Sequence, residues 1–479
     1  MPEKVPPLRS NSSLGLMGGF RFPPEKLSRK AVGDSRYLNF LRAPSNPAAE
    51  ALVAEIHRRV ILAETYAEAR TRARRADADR QLRAALGAIV GSLLLAWTET
   101  PPRAVSRSFD ANTFTGEDIG YPAFVDAIHW MEKEYFLRRR RGGRLPDGSK
   151  GAASRFWPTE KLLTLAASYG IDTATVAADF GWRRSSSLKA PKVREAIVLQ
   201  EIPPHPNAER GRKLRIDPHD LVASSLRAEV ERLNAFAAGF DVTGCLPPRW
   251  QRKFKGNLQL YGRLHAVGDG NYQSMPLERR LNDIRINGES VVEVDISASH
   301  LSIMHALVGL PLPEGDPYAV PGFSRSTVKA WVNATLGKGS PVRKWPKDRL
   351  AKTPELAAVD PLEVMATVLK QYPWLSEPWR LATEFSAVAE PKRVLPHMLM
   401  GLESDIMLVV VQGLGKQGIL GLPIHDGILV PANAAALTCD LIRAISRREI
   451  GLEFKLKTYS TTQNHSQSHF EGAYPCADA

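Results

Sequence analysis

Two apolar segments, each interrupted by an aspartate, constrain the fold of this chain more than any other feature. The first, residues 291–305 (VVEVDISASHLSIMH), opens with Val291, Val292, Val294 and Ile296, a β-branched run that reads as a buried strand with Asp295 inside it. The second, residues 421–431 (GLPIHDGILVP), sets two apolar arms around His425, Asp426 and Gly427. A carboxylate in an apolar strand is costly unless it is paired or bound to a metal. Each aspartate also has an ordinary reading. Asp-Gly between apolar arms is the commonest short hairpin signal, and Asp295 stands where it would cap the helix that follows. Between the two lies a third segment, residues 324–339 (SRSTVKAWVNATLGKG). It puts Arg325 and Lys329 four residues apart on one helix face, a spacing that suits a triphosphate, with Gly337 and Gly339 after them. Taken singly, these cations are ordinary surface charges. Two strand-borne aspartates far apart in sequence, with a cationic helix between them, match a two-metal phosphoryl-transfer site.

This order resembles the polymerase core shared by DNA polymerase family A and the single-subunit, phage-type RNA polymerases. Asp295 and Ser297 resemble motif A, Arg325, Lys329 and Gly337 resemble motif B, and His425 and Asp426 resemble the His-Asp of motif C. Residues 262–276 (GRLHAVGDGNYQSMP) resemble the family A stretch in which Arg263 and Gln273 would touch the primer–template, and residues 403–407 (ESDIM) resemble the helix leading into motif C. The resemblance covers residues 261–431. It implies an α+β right-hand polymerase core, an antiparallel palm sheet with helical fingers and thumb. It also implies two Mg2+ ions, with Mn2+ as an alternative, held by Asp295, the backbone of Ile296, and Asp426. Arg325, Lys329, His300 and Asn333 would then face the incoming nucleotide, and Arg263, Gln273 and His425 the primer and template. The implied partners are a DNA primer–template or DNA template and nucleoside triphosphates.

Several positions depart from the family patterns. Gly427 stands where family A has Glu and the phage-type enzymes have Ser, so a carboxylate near the primer end is missing. Asn333 replaces the motif B aromatic, Leu336-Gly337 the Tyr-Gly, and Ser302 the motif A arginine. His300, five residues after Asp295, occupies the ribose-gate position, where a bulky side chain crowds a 2′-OH and a hydrogen-bonding one recognises it. The short interval between Arg263 and Asp295 is like family A, and DNA synthesis is the favoured reading. The alternatives are an RNA polymerase or primase-like enzyme of the phage type, and a non-catalytic winged-helix replication initiator or regulator.

The rest of the chain frames this core. At 479 residues it is long enough for two or three domains, and its formal charge of +13 suits a polyanionic partner. Residues 1–45, rich in Pro, Ser, Gly and basic residues, read as a flexible arm. Residues 46–205 read as a mostly helical nucleic-acid-binding region. Eight arginines between Arg58 and Arg83 mark either a solvated helix face or a phosphate-facing one. A helix near 121–134 precedes a basic hairpin, residues 135–158, carrying Arg138, Arg139, Arg140, Arg141 and Arg144, an arrangement that resembles a winged helix binding nucleic-acid backbone. Ala166, Gly170 and Val176 have helix-turn-helix spacing. No Asp-x-Glu strand of a proofreading exonuclease occurs in residues 1–205. The Pro-rich stretch 202–213 reads as a linker, which puts the core at 206–479. Within it a thumb-like helix is expected near 218–240, palm at 255–310 and 395–479, and fingers at 311–394. The longest apolar run, residues 84–97, falls short of the roughly 20 residues of a membrane span, so no membrane is expected. Nor does the N-terminus have a secretory h-region. Three scattered cysteines point to a reducing, cytoplasmic setting.

Overall fold

The computed structural model describes residues 35–68, 72–114, 117, 119–143, 153–183, 190–203, 211–268 and 270–461. The chain forms two compact units, Met1–Ala190 with Gly268–Gly270, and Pro191–Val267 with Asn271–Ala479, each around its own apolar core. The division precedes the Pro-rich stretch 202–213. That stretch connects two strands that pair with each other inside the second unit, and its residues 204–210 lie outside the described residues.

In the first unit, helix α1 (Pro47–Tyr66) starts at Asn46, whose side chain accepts the Ala49 N–H at 2.9 Å. Helix α2 (Ala76–Trp97) holds the long apolar run, and its Leu86, Ile89, Val90 and Leu93 are fully buried, so the run is a core helix. Of the seven described arginines between Arg58 and Arg83, four are ion-paired. Arg58 and Arg59 pair with Glu55, Arg74 with Glu64 and Asp126, and Arg80 with Asp77. Arg72, Arg75 and Arg83 are exposed with no ion pair among the described residues, so the stretch presents free cations beside acid-balanced ones. Helix α3 (Tyr121–Lys133) then leads into a hairpin whose strands are Leu137–Arg140 and Ser154–Pro158. Arg138 and Arg141 are exposed, while Arg139 pairs with Glu132 at 2.8 Å; Arg144 and the tip to residue 152 lie outside the described residues. The helix-turn-helix expectation fails. After helix Glu160–Ser168 only a single turn, Val176–Asp179, is helical, too short to lie along a groove.

The second unit contains two sheets. In the first, β1 (Ile197–Gln200) pairs antiparallel with β2 (Lys213–Leu214) and parallel with β3 (Trp250–Lys255), which pairs antiparallel with β4 (Arg263–Ala266). Helix α4 (Leu221–Ala237), capped by Asp220, packs on this sheet. The second sheet is antiparallel and centres on β5 (Glu289–Ile296). Along one edge β5 pairs with β7 (Gly427–Pro431), the second strand of a hairpin begun by β6 (Leu422–Ile424); along the other it pairs with β8 (Leu456–Tyr459). Strand alternation sends Val292, Val294 and Ile296 one way and Glu293 and Asp295 the other. Glu293 is neutralised by Arg280, which donates to both carboxylate oxygens at 2.7 and 2.6 Å. Asp295 has no such partner.

Helix α5 (Ser299–Leu307) leaves the end of β5, and α6 (Arg325–Lys338) begins at its Ser324 cap. Helix α6 is held by its buried face, where Val328, Trp331 and Val332 are fully enclosed and the Trp331 indole donates to the Val342 carbonyl at 3.0 Å. It ends at Gly339, with φ of 70° and the Lys392 carbonyl where a side chain would begin, a position only glycine can fill. Helix α7 (Pro391–Lys416) is the one helix among the described residues long and apolar enough to cross a membrane, rather than the run at 84–97, yet 67% of its most apolar stretch is buried against the protein. Its Ser404 hydroxyl donates to the Gly262 carbonyl at 2.6 Å, docking α7 beside β4.

Candidate active site

A cleft of about 480 Å3 opens over the end of β5. Two elements deliver its carboxylates. Asp295 is the second-last residue of β5, and Asp426 is in the two-residue turn that joins β6 to β7. The Ile296 N–H donates to the Asp426 carbonyl at 2.9 Å, so the ladder itself brings the two residues side by side. Both ordinary readings of these aspartates are thereby resolved. The residue at the start of α5 is Ala298, with no side-chain cap, so Asp295 is not a helix cap. Asp426 is a turn residue and also lines the cleft. The turn is His425-Asp426, with Gly427 already in the strand, one position earlier than an Asp-Gly turn.

The backbone around the carboxylates is strained. Ala298 and His425 are both non-glycine residues in the left-handed region, with φ of 56° and 51°, a cost of about 1 kcal/mol or more each. Gly427 stands opposite Asp295 in the ladder, and Lys457 stands opposite it on the other edge. A side chain at Gly427 would begin 3.3 Å from the Asp295 Oδ1 and 3.2 Å from the Val294 carbonyl oxygen.

Electrostatically the two carboxylates are only partly compensated, by Lys329 facing both, by Lys457 beside Asp295 and by Arg263 near Asp426. Among the described residues no cation lies within ion-pair distance of either. Burial, the neighbouring Asp426 and Glu293 together hold the Asp295 carboxyl up at about 7. Asp426 is exposed towards the cleft, but the concave walls displace solvent and Glu403 adds like charge, and its carboxyl is held up at about 6. Two adjacent carboxylates that resist ionisation are suited to a divalent cation. No three His, Cys, Asp or Glu side chains gather among the described residues, so a cation here would complete its shell with water, backbone or substrate oxygens. That is the way Mg2+ is ordinarily held, by one or two carboxylates plus phosphates. Ile296 lines the cleft while its side chain is in the core, which leaves its backbone as its contribution.

The opposite wall is one face of α6. Arg325, Lys329, Asn333, Leu336 and Gly337 all line the cleft, as the four-residue spacing requires. Arg325 donates to Asp316 and lies 5.3 Å from the Tyr318 ring, and Lys329 is exposed to the cleft. Arg349, Lys457 and Tyr459 also contribute, none of them marked by a sequence pattern.

The residue that sequence reasoning missed is Glu403. It is 1% exposed on α7 and accepts from Arg263 and, at 2.7 Å, from the Ser299 hydroxyl, with the His300 Nε2 at 3.4 Å. Its signals are the ESDIM segment at 403–407, whose resemblance to the helix leading into motif C assigned it no role, and its place as a carboxylate inside the apolar stretch MLMGLESDIMLVVV. His300 lines the cleft, and burial holds it below the usual histidine range, hence neutral; its Nε2 has no hydrogen-bond partner. His425 is likewise held down by burial. Arg263 lines the cleft, but Gln273 does not. Its carboxamide oxygen accepts from Ala266 N–H at 2.9 Å and its amide donates to the Leu264 and Pro423 carbonyls at 3.1 and 2.8 Å. Gln273 is thus a brace between β4 and the β6–β7 hairpin.

No protein-family model matches the chain, and no curated protein matches it. Among solved structures the chain is similar to the POL domain of Pol1 from M. smegmatis, in complex with DNA primer-template and dNTP. The two share 17% identity with a TM-score of 0.33, over 50% of this chain and 50% of that one. The chain therefore spans about half the length of the structure it matches.

Proposed function

We propose that this chain is a template-directed nucleic-acid polymerase, a nucleotidyltransferase acting at the cleft between β5 and α6, with DNA the favoured product. The observation that carries the reading is the ladder bond from Ile296 N–H to the Asp426 carbonyl, which sets two carboxylates without an ion-pair partner among the described residues together opposite the cationic face of α6. In this reading the β5–β8 sheet is the palm, residues 311–394 the fingers and α4 the thumb-like helix.

Asp295 and Asp426 would hold two Mg2+ ions, which, when bound, lower the pKa of a primer 3′-OH and neutralise the leaving pyrophosphate. The chain's own contributions are distinct from that. Lys329 and Arg325 project from one helix face and meet the phosphates, Arg as a planar donor and Lys as a point charge. Asp316 holds Arg325 from the far side, which fixes the guanidinium before a substrate arrives. Glu403 aims Arg263 at the primer–template, and the neutral His300 stands where the sugar of the incoming nucleotide would lie. The helix and basic hairpin of the first unit, with Arg138 and Arg141 exposed, are read as a backbone-binding element that positions nucleic acid without reading its sequence.

Primer extension with dNTPs and with NTPs tests the proposal. Asp295→Asn and Asp426→Asn should each abolish incorporation while leaving primer–template binding within about twofold. Extension by either variant at the parent rate would sink the two-carboxylate assignment, and no extension by the parent with any template would favour a non-catalytic replication protein.

A further inference from the structure

A second concavity lies in the same unit, away from the cleft. It is a groove of about 580 Å3 between helix α4 and the β1–β2 edge of the first sheet. That sheet runs β4, β3, β1, β2, so the groove is at the opposite edge from Arg263, three strand spacings or about 14 Å across the sheet.

Three arginines from three elements converge on it. Arg194 precedes β1, Arg215 follows β2, and Arg227 comes from α4. Two carboxylates also line the groove, Glu195 and Glu231, and the first is taken up by Lys213, itself a lining residue. Glu195 is gripped by Lys213, both carboxylate oxygens at 2.6 Å, Glu201 pairs with Arg212 at 2.7 Å, and Glu229 pairs with Arg252 at 3.0 Å. Only Glu231 remains, and although it lies one helical turn from Arg227 the two form no ion pair. Among the described residues, then, three guanidinium groups share one groove with no carboxylate bound to any of them. Arg194 and Arg215 are exposed and Arg227 is half-buried. Beneath them the groove is lined by Ala196, Ile197, Leu214 and Ile216. Convergent arginines above an apolar floor suit a ligand with phosphate groups at one end and a flat, weakly polar body at the other.

We propose that this groove is a phosphate-binding site separate from the cleft, taking either a free nucleoside phosphate or a nucleotide of a bound strand. The inference does not depend on the polymerase reading. Arg194, Arg215 and Arg227 would clasp the phosphate oxygens in place of the missing carboxylates, and the aliphatic floor would support the nucleoside.

The test uses the full chain with Arg194, Arg215 and Arg227 all replaced by Gln, which keeps the stems and removes the charge. A cleft variant, Arg325→Gln with Lys329→Gln, serves as reference. Fluorescence anisotropy is measured with MANT-labelled ADP and, separately, with a fluorescein-labelled, 5′-phosphorylated single-stranded DNA. The groove variant should bind one of the two probes at least about tenfold more weakly, a loss that the cleft variant does not reproduce. If the strand is the ligand, the slope of log K against log[salt] should also shrink by about 2, at about 0.7 per lost phosphate contact. Loss for ADP alone identifies a free nucleotide, and loss for DNA alone identifies a strand. Single Arg215→Gln and Arg227→Gln variants, each expected to show part of the loss, carry the test should the triple variant fold poorly. Unchanged affinity for both probes in variants that unfold at the parent temperature overturns the proposal.

Discussion

Replacing Asp295 by Asn should make the metal-free protein more stable while it destroys activity. An ordinary aspartate titrates at 3.8, whereas burial and the charges of Asp426 and Glu293 hold Asp295 at about 7 in the folded chain. Between those values the folded protein binds a proton that the unfolded chain has released, so stability falls as pH rises from 3.8 to about 7 and stays low above it. At about 1.36 kcal/mol per pKa unit the full loss approaches about 4 kcal/mol. Solvent in the cleft and the proton shared with Asp426 reduce it to about 1–2 kcal/mol. Asparagine keeps the shape and never ionises. Urea unfolding in EDTA should therefore show the variant about 1–2 kcal/mol more stable than the parent at pH 8, with the difference vanishing near pH 4, where the parent carboxyl is also neutral. Adding Mg2+ to about a hundred times its Kd should reverse the order, because the cation then stabilises the parent by about 2.7 kcal/mol and has lost a ligand in the variant. Equal midpoints at pH 8, or the same gain at both pH values, would refute the electrostatic account of the cleft.

Gly427→Ala places a methyl 3.3 Å from the Asp295 Oδ1 and should lower primer extension at least tenfold with the circular dichroism spectrum unchanged, since the carboxylate must turn to escape it. Arg107, buried among Tyr37, Phe40 and Phe114 and paired with Glu117 at 2.9 Å, holds the first unit together. Arg107→Met should cost about 3–5 kcal/mol in urea unfolding of that unit, because it takes the guanidinium away from the buried Glu117 carboxylate. His300→Gly should raise the use of ATP relative to dATP if the imidazole is a steric wall, and lower it if the unpartnered Nε2 hydrogen-bonds a 2′-OH; competition kinetics read the sign, and no change removes His300 from the site.

The sequence disclosed what repeats or alternates. The β-branched run through Val291–Ile296, the four-residue spacing of Arg325 and Lys329, and the turn at Asp426 were all legible because strand and helix periods are local properties. The helix near 218–240 was legible too, though it starts at Leu221 under an Asp220 cap rather than at Pro218. What stayed hidden depends on who sits across the sheet or the cleft. Gln273 has the composition of a groove-reading residue and spends every donor on backbone instead. Lys457 and Arg349 belong to the cleft through packing that no local pattern encodes, and Glu403 stood in a recognised segment, 403–407, that gave no hint of its partners Arg263 and Ser299. The apparent helix-turn-helix at Ala166–Val176 shows the same limit from the other side, a spacing satisfied by chance and followed by only one helical turn.

The register of the β6–β7 hairpin has a consequence for how the gene can vary. Hairpin tips usually accept insertions and deletions more readily than any other part of a sheet. Here one added residue between His425 and Asp426 would bulge the turn and carry the aspartate away from Ile296, whereas one residue removed from the turn would slip β7 by one place. That slip would set the branched side chain of Ile428 opposite Asp295, where even the first carbon of a side chain would stand only 3.3 Å from the carboxylate oxygen. Neither outcome leaves a working pair of carboxylates. If the paired carboxylates act as proposed, a one-residue insertion or deletion at 425 and 426 should abolish primer extension as fully as Asp426→Asn.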